Sequence, residues 1–153
     1  MKSEVRMPQS AFSLAVSPSL GEFDLGGVLY HANYFHLYEQ GREALLQQID
    51  FSYSLLVKGG FHLAVVESHQ NFIAPITYGQ SITLNLWVSD LKKASLVFHY
   101  QLAICADHDA QNSAVKVIHQ AWTRHALVHT GVEGFGLVSF DPDFRSKLAL
   151  FGV

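Results

Sequence analysis

Charged side chains are scarce in this chain. They make up 15% of its 153 residues, against 49% hydrophobic. A chain this apolar buries a full core, which excludes disorder. It also leaves few charges to cover a lone monomer, so part of its apolar area is expected in contacts between subunits. Basic runs are lacking too. Nothing stands out beyond Lys92-Lys93, and the net charge is -3. The phosphate-neutralising footprint of a nucleic-acid binder is therefore missing. Cysteine occurs once, as Cys105 in an apolar alternating stretch, so no disulfide framework can form within the chain. No apolar run reaches the roughly 18 residues of a membrane helix. Lys2 and Arg6 precede no long apolar core, so Met1 to Ser10 does not read as a secretory leader. These absences point to a cytoplasmic protein with no membrane partner.

Several catalytic motifs are absent as well. There is no G-x-S-x-G elbow, no P-loop and no G-x-G-x-x-G. His31, His36 and Glu39 lack the i, i+4 histidine pair of a helical zinc site. Neither a metal nor another cofactor is expected.

What is present reads as one domain over residues 1–153, with 1–10 as a loose tail. Phe12, Leu14 and Val16 alternate with Ala11, Ser13 and Ala15, the period of a half-buried strand. Pro18, Gly21, Gly26 and Gly27 make Ser17 to Gly27 a loop. His31 to Gln48 reads as a helix of about 27 Å. Its apolar residues Ala32, Phe35, Tyr38, Leu45 and Ile49 are joined by Tyr34, Leu37 and Leu46. A face this wide predicts burial on more than one side. Gly41 inside it costs roughly 1 kcal/mol against Ala, which predicts a close approach to a sheet. A short helix over Phe51 to Lys58 ends at Gly59-Gly60.

Strands follow: Phe61 to Ile73, a run alternating through Ile82, Leu84, Leu86 and Val88, and another through Leu96 to Ile104. Asp107 to Ser113 is a hairpin loop, and a last long strand runs from Val115 to His129. Gly131 to Gly136 is a Gly-rich stretch. Asp141-Pro142 starts a C-terminal helix with an Asp cap and Pro at its first position. One long helix followed by a run of antiparallel strands is an α+β pattern.

Chemistry concentrates at Asp24. It sits among apolar residues and glycines, and Gly26 and Gly27 let the backbone turn sharply and approach a ligand. A carboxylate there is either a turn residue capping its own backbone or a reactive group. His31 opens the helix, where main-chain N–H groups lack intrahelical partners and can polarise a carbonyl oxygen. A surface histidine is the plainer alternative. Glu39, two turns into the helix, is more plainly a structural partner for a nearby hydroxyl than a catalytic group, and Lys92 and Lys93 are either phosphate ligands or solvated lysines.

The run Asp24-Leu25-Gly26-Gly27-Val28-Leu29-Tyr30-His31-Ala32-Asn33-Tyr34 resembles the signature of the 4-hydroxybenzoyl-CoA thioesterase family. The likeness extends through Glu39 and Arg42, the Pro75 to Gly79 turn and the strands to about residue 129. It implies a hot-dog fold, a long central helix wrapped by an antiparallel sheet, with sheets joined edge to edge in a homodimer that often pairs into a homotetramer. It implies acyl-CoA as substrate, Asp24 as catalytic nucleophile or base, and His31 as the residue whose N–H receives the thioester oxygen. Gly27, Tyr30, Lys92 and Lys93 are the candidate substrate-binding residues. The family commonly has Asp two positions before the catalytic one, followed by a small polar residue; Glu22 and Phe23 stand there in this chain.

The aromatic content of 12% suits a flat acyl group such as 4-hydroxybenzoyl or 1,4-dihydroxy-2-naphthoyl, and equally suits a core. A short-chain aliphatic acyl-CoA thioesterase and a non-catalytic acyl-CoA-binding hot-dog protein are the alternatives. A hot-dog dehydratase would need a differently placed His and acid, and no matching segment is present.

Overall fold

A computed structural model describes residues 6–105, 115–131 and 134–152. The expected loop at Asp107 to Ser113 and the first five residues of the expected tail lie outside them. The rest of that tail is partly tied down, since Ala11 N–H donates to the Pro8 carbonyl at 3.2 Å.

Strand β1 (Phe12–Val16) leads through a loop into a 3₁₀ turn (His31–Asn33) and helix α1 (Tyr34–Gln48). Helix α2 (Tyr53–Lys58), strands β2 (Phe61–Phe72), β3 (Ile82–Ser89), β4 (Ser95–Cys105), β5 (Val115–Gly131) and β6 (Gly134–Leu137), and helix α3 (Pro142–Ala149) follow. The six strands form one antiparallel sheet in the order β1-β3-β4-β5-β2, with β6 paired to the end of β5. The Gly-rich stretch therefore runs into a short strand, which its composition alone did not predict. Pairing with β5 supplies order that its own composition does not.

Period-two patterning decides which face is covered. Ile82, Leu84, Leu86 and Val88 of β3 and Leu96, Phe98, Tyr100 and Leu102 of β4 all point into the core and are buried. Their register is regular from Ile82↔Ile104 to Ser89↔Val97, so the two inward rows coincide. Helix α1 lies on that face and buries Leu37, Tyr38, Leu45 and Leu46 completely. Its buried stripe also contains Tyr34 and Gly41, while Ala32, assigned to the stripe on spacing alone, is exposed. Gly41 has the expected reason: a Cβ there would stand 2.4 Å from Leu84 Cδ2 and 3.6 Å from Leu86 Cδ2. Helix α3 starts as read, with Asp141 Oδ1 accepting from the N–H groups of Asp143 and Phe144 at 2.9 and 3.2 Å.

Two irregularities break the alternation. The β2–β5 register shifts between Val65 and Glu67, and the β4–β5 register between Leu102 and Ala103. Strand β2 is the long edge of the sheet, and Val65 and Val66 at its bulge are exposed.

Candidate active site

The loop between β1 and α1 is a small hairpin pinned at three levels. A 3₁₀ turn (Leu20–Glu22) carries Glu22, whose carbonyl accepts from Tyr30 N–H at 3.0 Å and Asn33 Nδ2 at 2.7 Å. Asp24 N–H then donates to the Val28 carbonyl at 2.9 Å, and Gly27 N–H donates back to Asp24 at 3.0 Å. Gly27 sits at φ +76°, where a side chain would be strained. Finally Leu29 N–H donates to the Ile76 carbonyl at 2.9 Å, which fastens the hairpin to the segment before β3.

This geometry fixes Asp24 at an exposed tip. Its Oδ1 accepts from Gly26 N–H at 2.8 Å and from Val28 N–H at 3.4 Å. A Cβ at Gly26 would lie 3.0 Å from Oδ1, so the residue must be small for the turn to close on the carboxylate. The aspartate is thus a turn residue through one oxygen. No described residue donates to Oδ2, so that oxygen keeps its lone pairs for chemistry.

His31 lies in the 3₁₀ turn, three residues before the α-helix that had been expected to begin there. The helical path is continuous from one into the other. Among the described residues no acceptor meets the main-chain N–H of His31. Its ring is exposed and lies 4.3 Å from that of Tyr30, centroid to centroid. Asp24, Gly27, Tyr30 and His31 therefore belong to one hairpin and the turn that follows it.

Lys92 and Lys93 do not join them within one chain. They occupy the β3–β4 turn, where Lys92 N–H donates to Ser95 at 2.8 Å and the Lys93 carbonyl accepts from Phe140. Lys92 Nζ is 3.8 Å from Asp90. The Asp24 hairpin is fastened near the start of β3 and the lysines follow its end, about 25 Å of strand away. Glu39 is exposed on α1. Among the described residues no three His, Cys, Asp or Glu side chains converge as metal ligands.

Three residues around the site escaped sequence reasoning. The Glu22 carboxylate accepts from Ser19 N–H at 2.6 Å and Ser19 Oγ at 3.0 Å, and pairs with His36 Nδ1 at 3.1 Å. Burial works against its charge, but the bonds from Ser19 and His36 outweigh that and hold its pKa below the usual carboxylate value. Glu22 thereby ties the hairpin to α1. The Ser19-x-x-Glu22 spacing, that of a capping box, was the available signal.

Beneath α1 lies a second set of missed residues, polar and buried. Arg42 donates to Tyr100 Oη at 2.9 Å, Tyr100 bonds Thr123 at 2.8 Å, Thr123 bonds His125 Nε2 at 2.8 Å, and His125 Nδ1 meets the Leu63 carbonyl at 3.3 Å. Beside this chain Tyr38 Oη bonds both His119 Nε2 and Gln70 Oε1. Burial pushes His119 and His125 down to about 4, helped at His125 by the charge of Arg42. Both rings are neutral at neutral pH.

A long helix laid across one face of an antiparallel sheet, with a tight loop at the helix entrance, is the hot-dog fold. Residues 18–148 match the thioesterase-like superfamily, and the chain belongs to that family. It is 33% identical over 81 residues to the putative acyl-CoA thioesterase YneP of Bacillus subtilis, a match covering 53% of this chain and 59% of that protein. Among solved structures it resembles the dynemicin thioesterase, with TM-score 0.81, 17% identity and 94% and 98% of the two chains covered. It also resembles 4-hydroxybenzoyl-CoA thioesterase from Pseudomonas sp. strain CBS-3, with TM-score 0.77, 12% identity and 90% and 98% covered. At these identities the likeness is one of fold. No helix among the described residues is long and apolar enough to cross a membrane.

Proposed function

We propose that this protein is a cytoplasmic acyl-CoA thioester hydrolase that works without metal or other cofactor, with Asp24 as its catalytic carboxylate. The observation that carries the reading is the Asp24 turn. Main-chain donors hold Oδ1, and among the described residues Oδ2 is unengaged and the helix start into which the hairpin runs has a first N–H with no acceptor. Water or Oδ2 itself attacks the thioester carbon, and the developing oxyanion is met by the His31 N–H. In the base route Asp24 takes the proton of water and later returns it to the departing CoA thiolate. In the nucleophile route an acyl-aspartyl anhydride forms as the thiolate leaves, and water hydrolyses it. Gly27 and Tyr30 line the approach, and Lys92 and Lys93 are available to CoA phosphates from a neighbouring subunit.

An aromatic acyl group such as 4-hydroxybenzoyl or 1,4-dihydroxy-2-naphthoyl is the preferred substrate, in keeping with the resemblance to the Pseudomonas enzyme. The active unit is a homodimer or homotetramer. Strand β2 supports that reading, because it is a long sheet edge with exposed valines and open main-chain groups suited to pairing with a second copy.

The test is free-thiol release from a panel of aromatic and short aliphatic acyl-CoAs by the native protein and Asp24→Asn. The amide keeps the shape of the carboxylate but is neither nucleophile nor base. Its kcat is expected to fall by about 10² to 10⁴. A folded Asp24→Asn protein with near-native turnover removes Asp24 from the chemistry. Tight acyl-CoA binding with no hydrolysis across the panel favours a binding protein instead.

A further inference from the structure

His119 is fully buried, and among the described residues its Nδ1 has no hydrogen-bond partner. An unpaired buried polar atom is costly, so a native structure that retains one calls for a reason. The surroundings supply it. The His119 ring lies 4.5 Å from Tyr34 and 4.8 Å from Phe72, and Phe72 meets Tyr34 edge to face at 5.0 Å. Tyr34 begins α1 directly after the His31 turn, and Phe72 ends β2 just before the segment that anchors the Asp24 hairpin. Two of the three rings thus adjoin, in sequence, the segments that hold the proposed catalytic loop.

Phe72 differs from the other two. It is 50% exposed, whereas Tyr34 and His119 are buried. Rotating it outward uncovers two aromatic walls and one polar atom, and a flat acyl group can take its place against both rings. The geometry points to a covered acyl subsite, with Phe72 as its cover and His119 Nδ1 as a hydrogen-bond acceptor that selects acyl groups carrying a hydroxyl. This inference rests on the thioesterase reading above and adds to it the residues that set acyl specificity.

The acceptor role follows from counting protons. Tyr38 has one hydroxyl proton and donates it to Gln70 Oε1 at 3.2 Å. With that proton on Gln70, the bond between Tyr38 Oη and His119 Nε2 uses the ring's proton, and we assign the hydrogen to Nε2. Nδ1 is left as a bare lone pair, which accepts an O–H. Burial keeps the ring neutral and the lone pair available at neutral pH.

Two measurements on the full chain test the subsite. The first compares kcat/KM for 4-hydroxybenzoyl-CoA and benzoyl-CoA. The native protein is expected to favour the hydroxylated substrate by about tenfold, the scale of one net hydrogen bond. His119→Leu should abolish that preference, bringing the kcat/KM ratio of the two substrates close to one. The second measurement needs no change in the subsite. With ¹⁵N-histidine in Asp24→Asn, the Nδ1 resonance of His119 should move on adding 4-hydroxybenzoyl-CoA and stay in place with benzoyl-CoA. Equal shifts with both ligands, or none with either, overturn the proposal even if His119→Leu fails to fold. Hydrolysis without the selective shift removes the subsite and leaves the activity standing. The selective shift without hydrolysis by the native protein does the reverse.

Discussion

Tyr38 on α1 and Tyr100 on β4 lie face to face in the core, ring centroids 4.2 Å apart and planes 20° from parallel, yet their hydroxyls serve separate hydrogen-bond chains. The Tyr100 chain has a fixed direction. Arg42 can only donate and the Leu63 carbonyl can only accept, so every proton between them points from Arg42 through Tyr100, Thr123 and His125 toward Leu63. The chain crosses from α1 to β4, β5 and β2, and it holds the one buried arginine among the described residues. Tyr100→Phe leaves the ring stack in place and deletes the hydroxyl that both receives from Arg42 and donates to Thr123. A charged donor and a hydroxyl then lose their partner in a dry core. The expected loss is about 3 kcal/mol, read as a lower urea midpoint with unchanged slope. A loss below about 1 kcal/mol means that water or a neighbour replaces the hydroxyl.

That polar core was the part least legible in the sequence. The strands announced themselves because Ile82, Leu84, Leu86 and Val88 alternate without interruption, and the last helix because Asp141-Pro142 is a start signal. The loop and helix that carry Asp24 and His31 were legible for the same local reason, glycines followed by a helix-forming run. His119, Thr123 and His125 looked like ordinary polar positions of a long strand. All three share one parity of β5, and the register that sets them opposite Leu102, Phe98 and Leu96 places that face in the core. The separation of Lys92 and Lys93 from Asp24 is likewise a property of topology. No local pattern records that the loop lies at one end of β3 and the turn at the other.

Gly41→Ala sets two opposing effects against each other. Alanine gains roughly 1 kcal/mol of helix propensity over glycine. Its Cβ also meets Leu84 Cδ2 at 2.4 Å. Leu84 is fully buried under α1, so it yields only by pushing its own neighbours, and overpacking of this kind costs about 1 to 3 kcal/mol. The clash is expected to win, lowering stability by about 1 kcal/mol net in a denaturant titration. A more stable variant shows instead that Leu84 has a second rotamer at little cost.

The buried histidines give stability a defined pH dependence. His119 and His125 are held at about 4 in the folded chain, against about 6.5 when unfolded. Between those values the unfolded chain binds more protons, so stability rises with pH there. It is fully present above pH 6.5 and is lost as pH falls from 6.5 toward 4. The scale is about 3 kcal/mol for each ring, a large share of the roughly 5 to 15 kcal/mol of a typical domain. Urea midpoints measured from pH 7.5 to 4.5 should be flat at first and then fall steeply. A flat profile throughout means that both rings take up protons in the folded state as readily as in the unfolded chain.

The last prediction separates main chain from side chain at His31. The ring is exposed and lies against Tyr30, while among the described residues the N–H at the helix entrance has no acceptor. If the N–H receives the thioester oxygen, His31→Ala keeps the donor in place, because the turn is fixed by Glu22, Tyr30 and Asn33 and not by the imidazole. The departing thiolate needs little help from a proton donor, since a free thiol has a pKa near 8.5. His31→Ala is therefore expected to lower kcat by less than about tenfold, against about 10² to 10⁴ for Asp24→Asn on the same substrate at saturation. Similar losses in the two variants would assign the imidazole a direct part in the reaction, as proton donor or as the group that orients the thioester. A KM rise with unchanged kcat would place the ring in substrate binding, stacked with Tyr30 against the ligand. Only a small kcat loss with KM held leaves the oxyanion contact to the main chain alone.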